Sequence, residues 1–221
     1  MTASPPAAWS RLLDGAELTR TVRRLAHEVR ERHPGLPGVV LAAVRDGGVP
    51  LACRVRDQLS ALGEPEPPLL ALDVRDYRDD RPRPARPAAG ALSQVPRVST
   101  LGAPSLLSVE AATVVLVDDV IHTGRTLRAA LDLLADHGRP AAVEPLVLID
   151  RGRRELPLRA TYVGRNLPVA AGDWVEVVWE PSGAGAWLIG RGKTHDPGAD
   201  GLGESPEPLG ASAPRRREDG G

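Results

Sequence analysis

Apolar and polar positions alternate along the chain with two different periods, and each change of period marks a new element. Leu18, Val22, Leu25, Ala26 and Val29 recur at three- and four-residue spacing, the stripe of an amphipathic helix. Asp14 stands just before that stripe and can cap it, so the spacing predicts a helix running to about Arg32. Pro34-Gly35-Leu36-Pro37-Gly38 breaks the pattern, and the unbroken apolar run at 39–44 reads as a strand buried on both faces. Asp46-Gly47-Gly48 is a turn, and a helix over 50–62 follows with a proline in its first turn. The pattern predicts a strand over 69–77. From 81 to about 106 no period survives among Pro, Ala, Ser and Gly, and a loop of that length is a lid, a binding loop or disorder. Further strands are expected at 114–117, 143–149, 161–163 and 175–180, with a helix over 127–134. Repeated strand–helix units of this kind predict an α/β fold on a mainly parallel sheet.

The most informative stretch is 114–126. Val114, Val115, Leu116 and Val117 run straight into two carboxylates, Asp118 and Asp119, and a Thr123-Gly124-Arg125-Thr126 turn then opens the next helix. Ligands of open α/β sheets bind at such places, beyond the carboxyl ends of the strands. The two threonines offer hydroxyl donors, Gly124 permits a tight turn, and the free N–H groups of a helix start favour a phosphate dianion. Carboxylates repel a phosphate but accept hydrogen bonds from sugar hydroxyls, or help position a metal. Phosphate on one side and vicinal hydroxyls on the other describe a ribose 5-phosphate. No Gly-x-x-x-x-Gly-Lys-Ser/Thr string occurs, and no Gly-x-Gly-x-x-Gly fingerprint follows a strand.

Composition narrows the class. A chain of 221 residues can bury one full α/β core, and with no Phe and 3% aromatics that core must be built from Leu, Val and Ala. A net charge of −1 argues against a globally basic nucleic-acid binder but leaves room for a local basic face. The lone Cys53 excludes an internal disulfide framework and fits a reducing cytoplasm. No Cys/His cluster has zinc spacing, the first residues lack a signal-peptide profile, and no apolar stretch approaches the roughly 20 residues of a membrane span. Beyond about residue 187 the chain turns Gly-, Pro- and charge-rich, which predicts a disordered tail at 187–221; Arg215 to Arg217 read there as a solvated run. Residues 1–12 are expected to be flexible, and 13–186 to form the one folded domain.

Residues 114–126 resemble the PRPP-binding signature of type I phosphoribosyltransferases. The likeness extends through Leu148-Ile149-Asp150-Arg151-Gly152-Arg153-Arg154-Glu155-Leu156-Pro157 and Tyr162-Val163-Gly164-Arg165-Asn166-Leu167-Pro168, and these strings resemble the PyrR family. Leu25-Ala26-His27-Glu28, Gly48-Val49-Pro50-Leu51-Ala52 and Tyr77-Arg78-Asp79-Asp80 fall in that family's order upstream. The resemblance implies a type I phosphoribosyltransferase fold with a small hood and a long flexible active-site loop. It implies uracil phosphoribosyltransferase activity (uracil and PRPP to UMP and diphosphate), coupled to uridine-nucleotide-responsive control of pyrimidine genes through their messenger RNA leader. UMP and UTP would be the signals, Mg²⁺ would arrive with PRPP rather than in a metal site of the protein, and homo-oligomers are expected.

Residue by residue, Thr123, Gly124, Arg125 and Thr126 would hold the 5-phosphate, and Asp118 and Asp119 the ribose hydroxyls, with Asp119 acting electrostatically on the developing cation or as a weak base. Arg45 and Gly48 would meet pyrophosphate, Arg78, Asp79 and Asp80 would close over it, and Arg151 would stand near the base. The RNA-contact positions of the family match His27, Arg154, Arg159 and Arg165, with Arg23 added where the family has Thr. Arg151, Arg153, Arg154, Arg159 and Arg165 place five guanidinium groups within fifteen residues, suited to phosphates and unpaired bases. Two departures bear on catalysis: Asp46-Gly47-Gly48 stands where the family reads Thr-Arg-Gly, so an arginine has been lost at Gly47, and Arg75-Asp76 precedes Tyr77 where the family has Thr-Leu. His122 replaces a common Tyr. Weak catalysis is therefore expected; a nucleotide-gated regulator with a decayed site, or a transferase for another base with no RNA role, are the alternatives.

Overall fold

The structure is a computed structural model, described over residues 9–79, 98–101, 108–170, 172–179 and 184–189. Strand β1 (Ser10–Asp14) leads into helix α1 (Gly15–Arg32), then strand β2 (Val39–Val44) and helix α2 (Gly48–Ala61). Strand β3 (Leu69–Leu72), a 3-10 turn (Arg75–Tyr77) and strand β4 (Val98–Leu101) follow. Strand β5 (Thr113–Ile121), helix α3 (Arg125–Ala135), and strands β6 (Ala142–Asp150), β7 (Tyr162–Asn166), β8 (Trp174–Val178) and β9 (Gly185–Ile189) complete the described chain.

Two sheets result. Six strands run in the order β4-β3-β2-β5-β6-β7, parallel throughout except for β4 against β3. Three more form a small antiparallel sheet, β1-β9-β8. The parallel strands are buried on both faces, which is why β2 reads as an unbroken apolar run. Val39, Leu41 and Ala43 enter one core with the stripes of α1 and α2, whereas Val40, Ala42 and Val44 enter the other with Leu127, Leu133 and Leu134 of α3. Leu13, Val175, Val177 and Ala186 of the small sheet join the first core, so that sheet is seated on α1 and α2.

Local chemistry explains the boundaries. Asp14 accepts from Glu17 N at 2.7 Å while Glu17 accepts from Asp14 N at 3.0 Å, a capping box that fixes the start of α1. Gly48 opens α2 because a Cβ there would stand 2.4 Å from the Val117 carbonyl oxygen, and that close approach lays α2 against β5.

Several expectations need correction. The strand expected over 69–77 ends at Leu72, because buried Asp73 turns back to accept from Arg75 N (3.2 Å) and Nε (2.9 Å). α2 begins at Gly48, two residues before the expected start. The patternless stretch at 81–106 contains strand β4 at an edge of the sheet; residues 80–97 and 102–107, Asp80 among them, lie outside the described residues. Of the N-terminus expected to be flexible through residue 12, residues 10–12 belong to β1, and of the tail expected from 187, residues 187–189 belong to β9, which pairs with β1; residues 1–8 and 190–221 lie outside the described residues. Long-range pairing of two short segments leaves no local periodic signal. Arg215 to Arg217 lie outside the described residues.

Candidate active site

The carboxyl ends of β2, β5 and β6 converge on one cleft edge. Asp118 and Asp119 project to opposite faces of β5, as successive strand residues must. Asp118 is buried and its Oδ1 accepts from Asp119 N at 3.1 Å; Asp119 Oδ1 accepts from Val120 N at 2.7 Å. Burial raises the Asp118 carboxyl well above the usual carboxylate range, the neighbouring Asp119 charge adds to this, and Arg78 opposes it. Burial raises Asp119 to about 6, with Glu176 of β8 adding to the shift and the Val120 N–H opposing it.

The loop after β5 turns directly into helix α3. Gly124 takes φ +91° at the N-cap of α3, a conformation that favours glycine. No side chain caps α3 and no acidic residue occupies its first turn, so the helix dipole and first N–H groups are presented to the cleft. The loop is held from behind, where Glu155 N and Leu156 N both donate to the Thr123 carbonyl. From the front, Arg78 Nη1 donates to Thr126 Oγ1 at 3.0 Å. Arg125 reaches Glu155 Oε2 at 2.7 Å and Asp79 Oδ2 at 2.9 Å, and Arg128 Nη2 donates to the Tyr77 carbonyl at 2.7 Å. Residues 77–79 are thereby fastened to the start of α3. The Arg125 side chain serves that fastening, and its backbone N–H donates to Thr123 Oγ1 at 3.3 Å.

The loop after β2 is built differently. Arg45 Nη2 donates to Ser99 Oγ of β4 at 2.9 Å, and its buried Nε has no hydrogen-bond partner. Asp46 takes φ +73°, and Gly47, with φ −74°, is the N-cap of α2. A Cβ on Gly47 would lie 2.3 Å from Asp119 Oδ2. The carboxylate of Asp119 thus fills the space that any side chain at 47 requires.

Beyond β6, Arg151 is only 3% exposed, and burial lowers its pKa. Its Nη2 donates to the Asp173 carbonyl and its guanidinium stands 5.8 Å from the Trp174 ring centroid. Burial also lowers the pKa of His122, and Arg151 contributes to the same shift. Asp173, just before β8, and Trp174 and Glu176 on β8 therefore bear on the site, and sequence motifs gave no sign of them. The one available signal was an aromatic and a carboxylate on the polar face of a short alternating strand.

The basic positions divide. Arg23 and His27 lie on the outer side of α1, and Arg165 is exposed on the adjoining strand β7, 3.8 Å from Glu17. Arg24 binds α1 to β7 by donating to the Val163 and Gly164 carbonyls, at 3.0 and 2.5 Å. Arg159 is exposed on the approach to β7. Arg154 differs: it donates to the carbonyls of Leu158 and His122 at 2.9 and 2.7 Å and is paired with Asp150, so its guanidinium holds the 150–158 loop together.

Among the described residues no group of three or more His, Cys, Asp or Glu side chains stands close enough to hold a metal ion, and no helix is long and apolar enough to cross a membrane.

Comparison with known proteins agrees with this geometry. Residues 8–183 match the family model described as the phosphoribosyl transferase domain. Two relatives named Bifunctional protein PyrR are each 44% identical: that of Chloroflexus aurantiacus over 84% of this chain and 97% of its own, and that of Streptomyces coelicolor over 85% and 92%. Among solved structures, a hypoxanthine phosphoribosyltransferase from Staphylococcus aureus superposes with a TM-score of 0.52 at 19% identity, covering 72% of this chain and 77% of that one. That of Trypanosoma cruzi in complex with the product IMP gives 0.53 at 20% identity, covering 76% and 81%. The structural likeness shows the fold, and the sequence relatives narrow it: this chain belongs to the PyrR family, within the phosphoribosyltransferase superfamily.

Proposed function

We propose that this protein makes UMP from uracil and PRPP and, through the same site, senses uridine nucleotides to control pyrimidine genes by binding their messenger RNA leader. The observation that carries the reading is the β5–α3 unit: two carboxylates at the strand end facing a glycine-capped, uncapped-by-side-chain helix start held by Arg78. The 5-phosphate is taken by the N–H groups and hydroxyls of residues 123–126. Asp118 and Asp119 accept from the ribose hydroxyls, which fixes the sugar in position. Uracil N1 forms a bond to C1 as the C1–O bond to diphosphate breaks, and the N1 proton leaves. The transition state has oxocarbenium character, so a carboxylate at Asp119 stabilises the positive charge on the ribose. Mg²⁺ would arrive with PRPP, with substrate phosphates and waters as its main ligands. Bound Mg²⁺ supplies charge neutralisation of the diphosphate.

RNA contact falls to the α1–β7 face: Arg23, His27 and Arg165, with Arg159 beside them. The three arginines are exposed and His27 is half-buried, and such side chains suit phosphates and splayed bases. Arg154 acts on that face by holding its loop rather than as a free donor. An oligomer would join two such faces, and the lone Cys53 fits a cytoplasmic protein.

One observation favours the regulator with little catalysis: the Gly47–Asp119 contact, which leaves the pyrophosphate loop without the family's arginine and without room for it. The test is UMP formation from radiolabelled uracil and PRPP with Mg²⁺, together with UMP binding. UMP formation supports the bifunctional reading. UMP binding without turnover selects the regulator. If neither is seen, the proposal fails.

A further inference from the structure

The 3-10 turn after β3 begins with one arginine and is followed by another, and it runs between the two loops of the cleft. β2 and β3 end side by side, with Val44 paired to Leu72 and Arg45 N donating to the Leu72 carbonyl at 2.8 Å. Arg75 therefore stands next to the loop after β2. Its hydrogen bond to Asp73 raises its pKa, and the charge of Asp46 in that loop adds to the rise. At the far end of the turn, Arg78 reaches Thr126 of the loop after β5. The turn is fixed in place, because Asp73 and Val74 are buried and Tyr77 N donates to the Val74 carbonyl at 3.0 Å. Arg75 bonds to Asp73 through Nε at 2.9 Å and Nη2 at 2.6 Å, which leaves Nη1 outside the pair on a side chain 68% exposed.

We infer that Arg75 binds the diphosphate end of PRPP, supplying from the turn after β3 the cation that Gly47 leaves out of the loop after β2. The inference rests on the transferase reading above and adds to it a residue at the leaving-group end. The family has Thr at this position, so the contact belongs to this chain. Local charge calls for it. At the ends of β2 and β3, Asp46 and Asp73 carry two negative charges that Arg45 alone does not balance, and a diphosphate beside them is repelled unless another cation faces it. Arg75 is that cation, and Asp73 sets its direction. A buried carboxylate gripping one side of a planar guanidinium turns the remaining donors outward in a fixed plane. Arg75 and Arg78, at the two ends of one turn, then face the two ends of one ligand, a ribose with phosphate at C5 and diphosphate at C1. A Cβ at 47 collides with Asp119, whereas a side chain at 75 approaches the same loop from the neighbouring strand.

The test is calorimetric titration of the full chain with diphosphate and Mg²⁺ and, separately, with UMP, which lacks the diphosphate. Wild type, Arg75→Thr and Arg75→Lys are compared, with thermal unfolding of each as a check on folding. Arg75→Thr installs the family's own residue, which the turn accommodates. The expected result is a loss of about tenfold in diphosphate affinity for Arg75→Thr, the scale of one charge-assisted contact. UMP affinity should be unchanged in that variant, and Arg75→Lys should stay within about threefold of wild type for diphosphate, because the charge is retained. In steady state, KM for PRPP should rise in Arg75→Thr while KM for uracil holds. Unchanged diphosphate affinity in Arg75→Thr overturns the inference, as does an equal loss for diphosphate and UMP, which would mark a structural role. If wild type binds UMP but not diphosphate, the Arg75 contact fails while the nucleotide site stands. If it binds neither, the transferase reading itself fails.

Discussion

The loops after β2 and after β5 share one plan, a buried parallel strand turning into a helix on the same edge of one sheet, yet they are built from different parts. After β5 the left-handed residue is Gly124 at φ +91°, the flanking residues carry hydroxyls, and the helix start is open. After β2 the left-handed residue is Asp46 at φ +73°, and the glycine next to it, Gly47, has an ordinary φ of −74°. Gly124 is glycine for its backbone, whereas Gly47 is glycine for room, since Asp119 occupies the place of its side chain. The lost arginine at 47 and the position of Asp119 are thus one structural fact. On the proposed reading the first loop suits a phosphate by its backbone geometry, whereas the second gives its free volume to the neighbouring carboxylate.

The largest expected effect comes from Asp119→Asn, which keeps the shape and removes the charge beside the reacting carbon. UMP formation should fall about 100-fold or more, as for loss of one preorganised electrostatic group. UMP binding should change far less. Little change in rate would break the comparison by removing Asp119 from the chemistry.

Gly47→Ala and Gly47→Arg sharpen it. A Cβ at 47 must displace the Asp119 carboxylate, so Gly47→Ala should lower kcat/KM about tenfold, the usual scale for misplacing a reacting group. Gly47→Arg adds a cation to the same steric change. Diphosphate inhibition of the two variants separates the effects, with the arginine variant expected to bind diphosphate about tenfold or more tightly than the alanine variant. Higher activity in Gly47→Ala than in wild type would show that Asp119 works better turned away.

Gly124→Ala tests the other loop. A side chain held at φ +91° carries strain of about 1–2 kcal/mol, to be read as a lower thermal midpoint and weaker UMP binding. The smallest effect is expected from Arg125→Gln, whose ion pairs with Asp79 and Glu155 are open to solvent. Its thermal midpoint should hardly move, whereas the salt dependence of UMP binding should flatten slightly if residues 77–79 loosen.

Much of this was legible beforehand because it is local. The strand at 114–117, the Asp118-Asp119 pair, the threonines around Gly124 and the capping residue Asp14 each express themselves within a few positions of sequence. What escaped was made by distant contacts. β1 and β9 are short segments from opposite ends of the described chain that pair with each other, β9 pairing with β8 on its other side. Trp174 and Glu176 reach the site through a strand pairing that no motif announces. The charge cluster from Arg151 to Arg165 read as one basic surface, but Arg154 turned inward onto carbonyls and Asp150, and Arg151 is buried beside Trp174. Charge counts say nothing about which way a guanidinium points.

The pH dependence of UMP formation, in wild type and Asp119→Asn, tests the central assignment most directly. Asp119 must be ionised to act on the ribose cation, and burial raises it to about 6. The wild-type rate should therefore fall tenfold per pH unit below about 6 and level off above it. Stability runs the other way: the folded state holds this proton up to about 6 while the unfolded chain releases it near 3.8. Between those values the native state binds more protons, so Asp119 makes the fold less stable as pH rises, and Asp119→Asn removes that contribution. The account expects an acid limb near pH 6 in wild type, absent from a variant at least 100-fold slower. An Asp119→Asn variant that keeps the wild-type rate, or keeps the same limb, contradicts it.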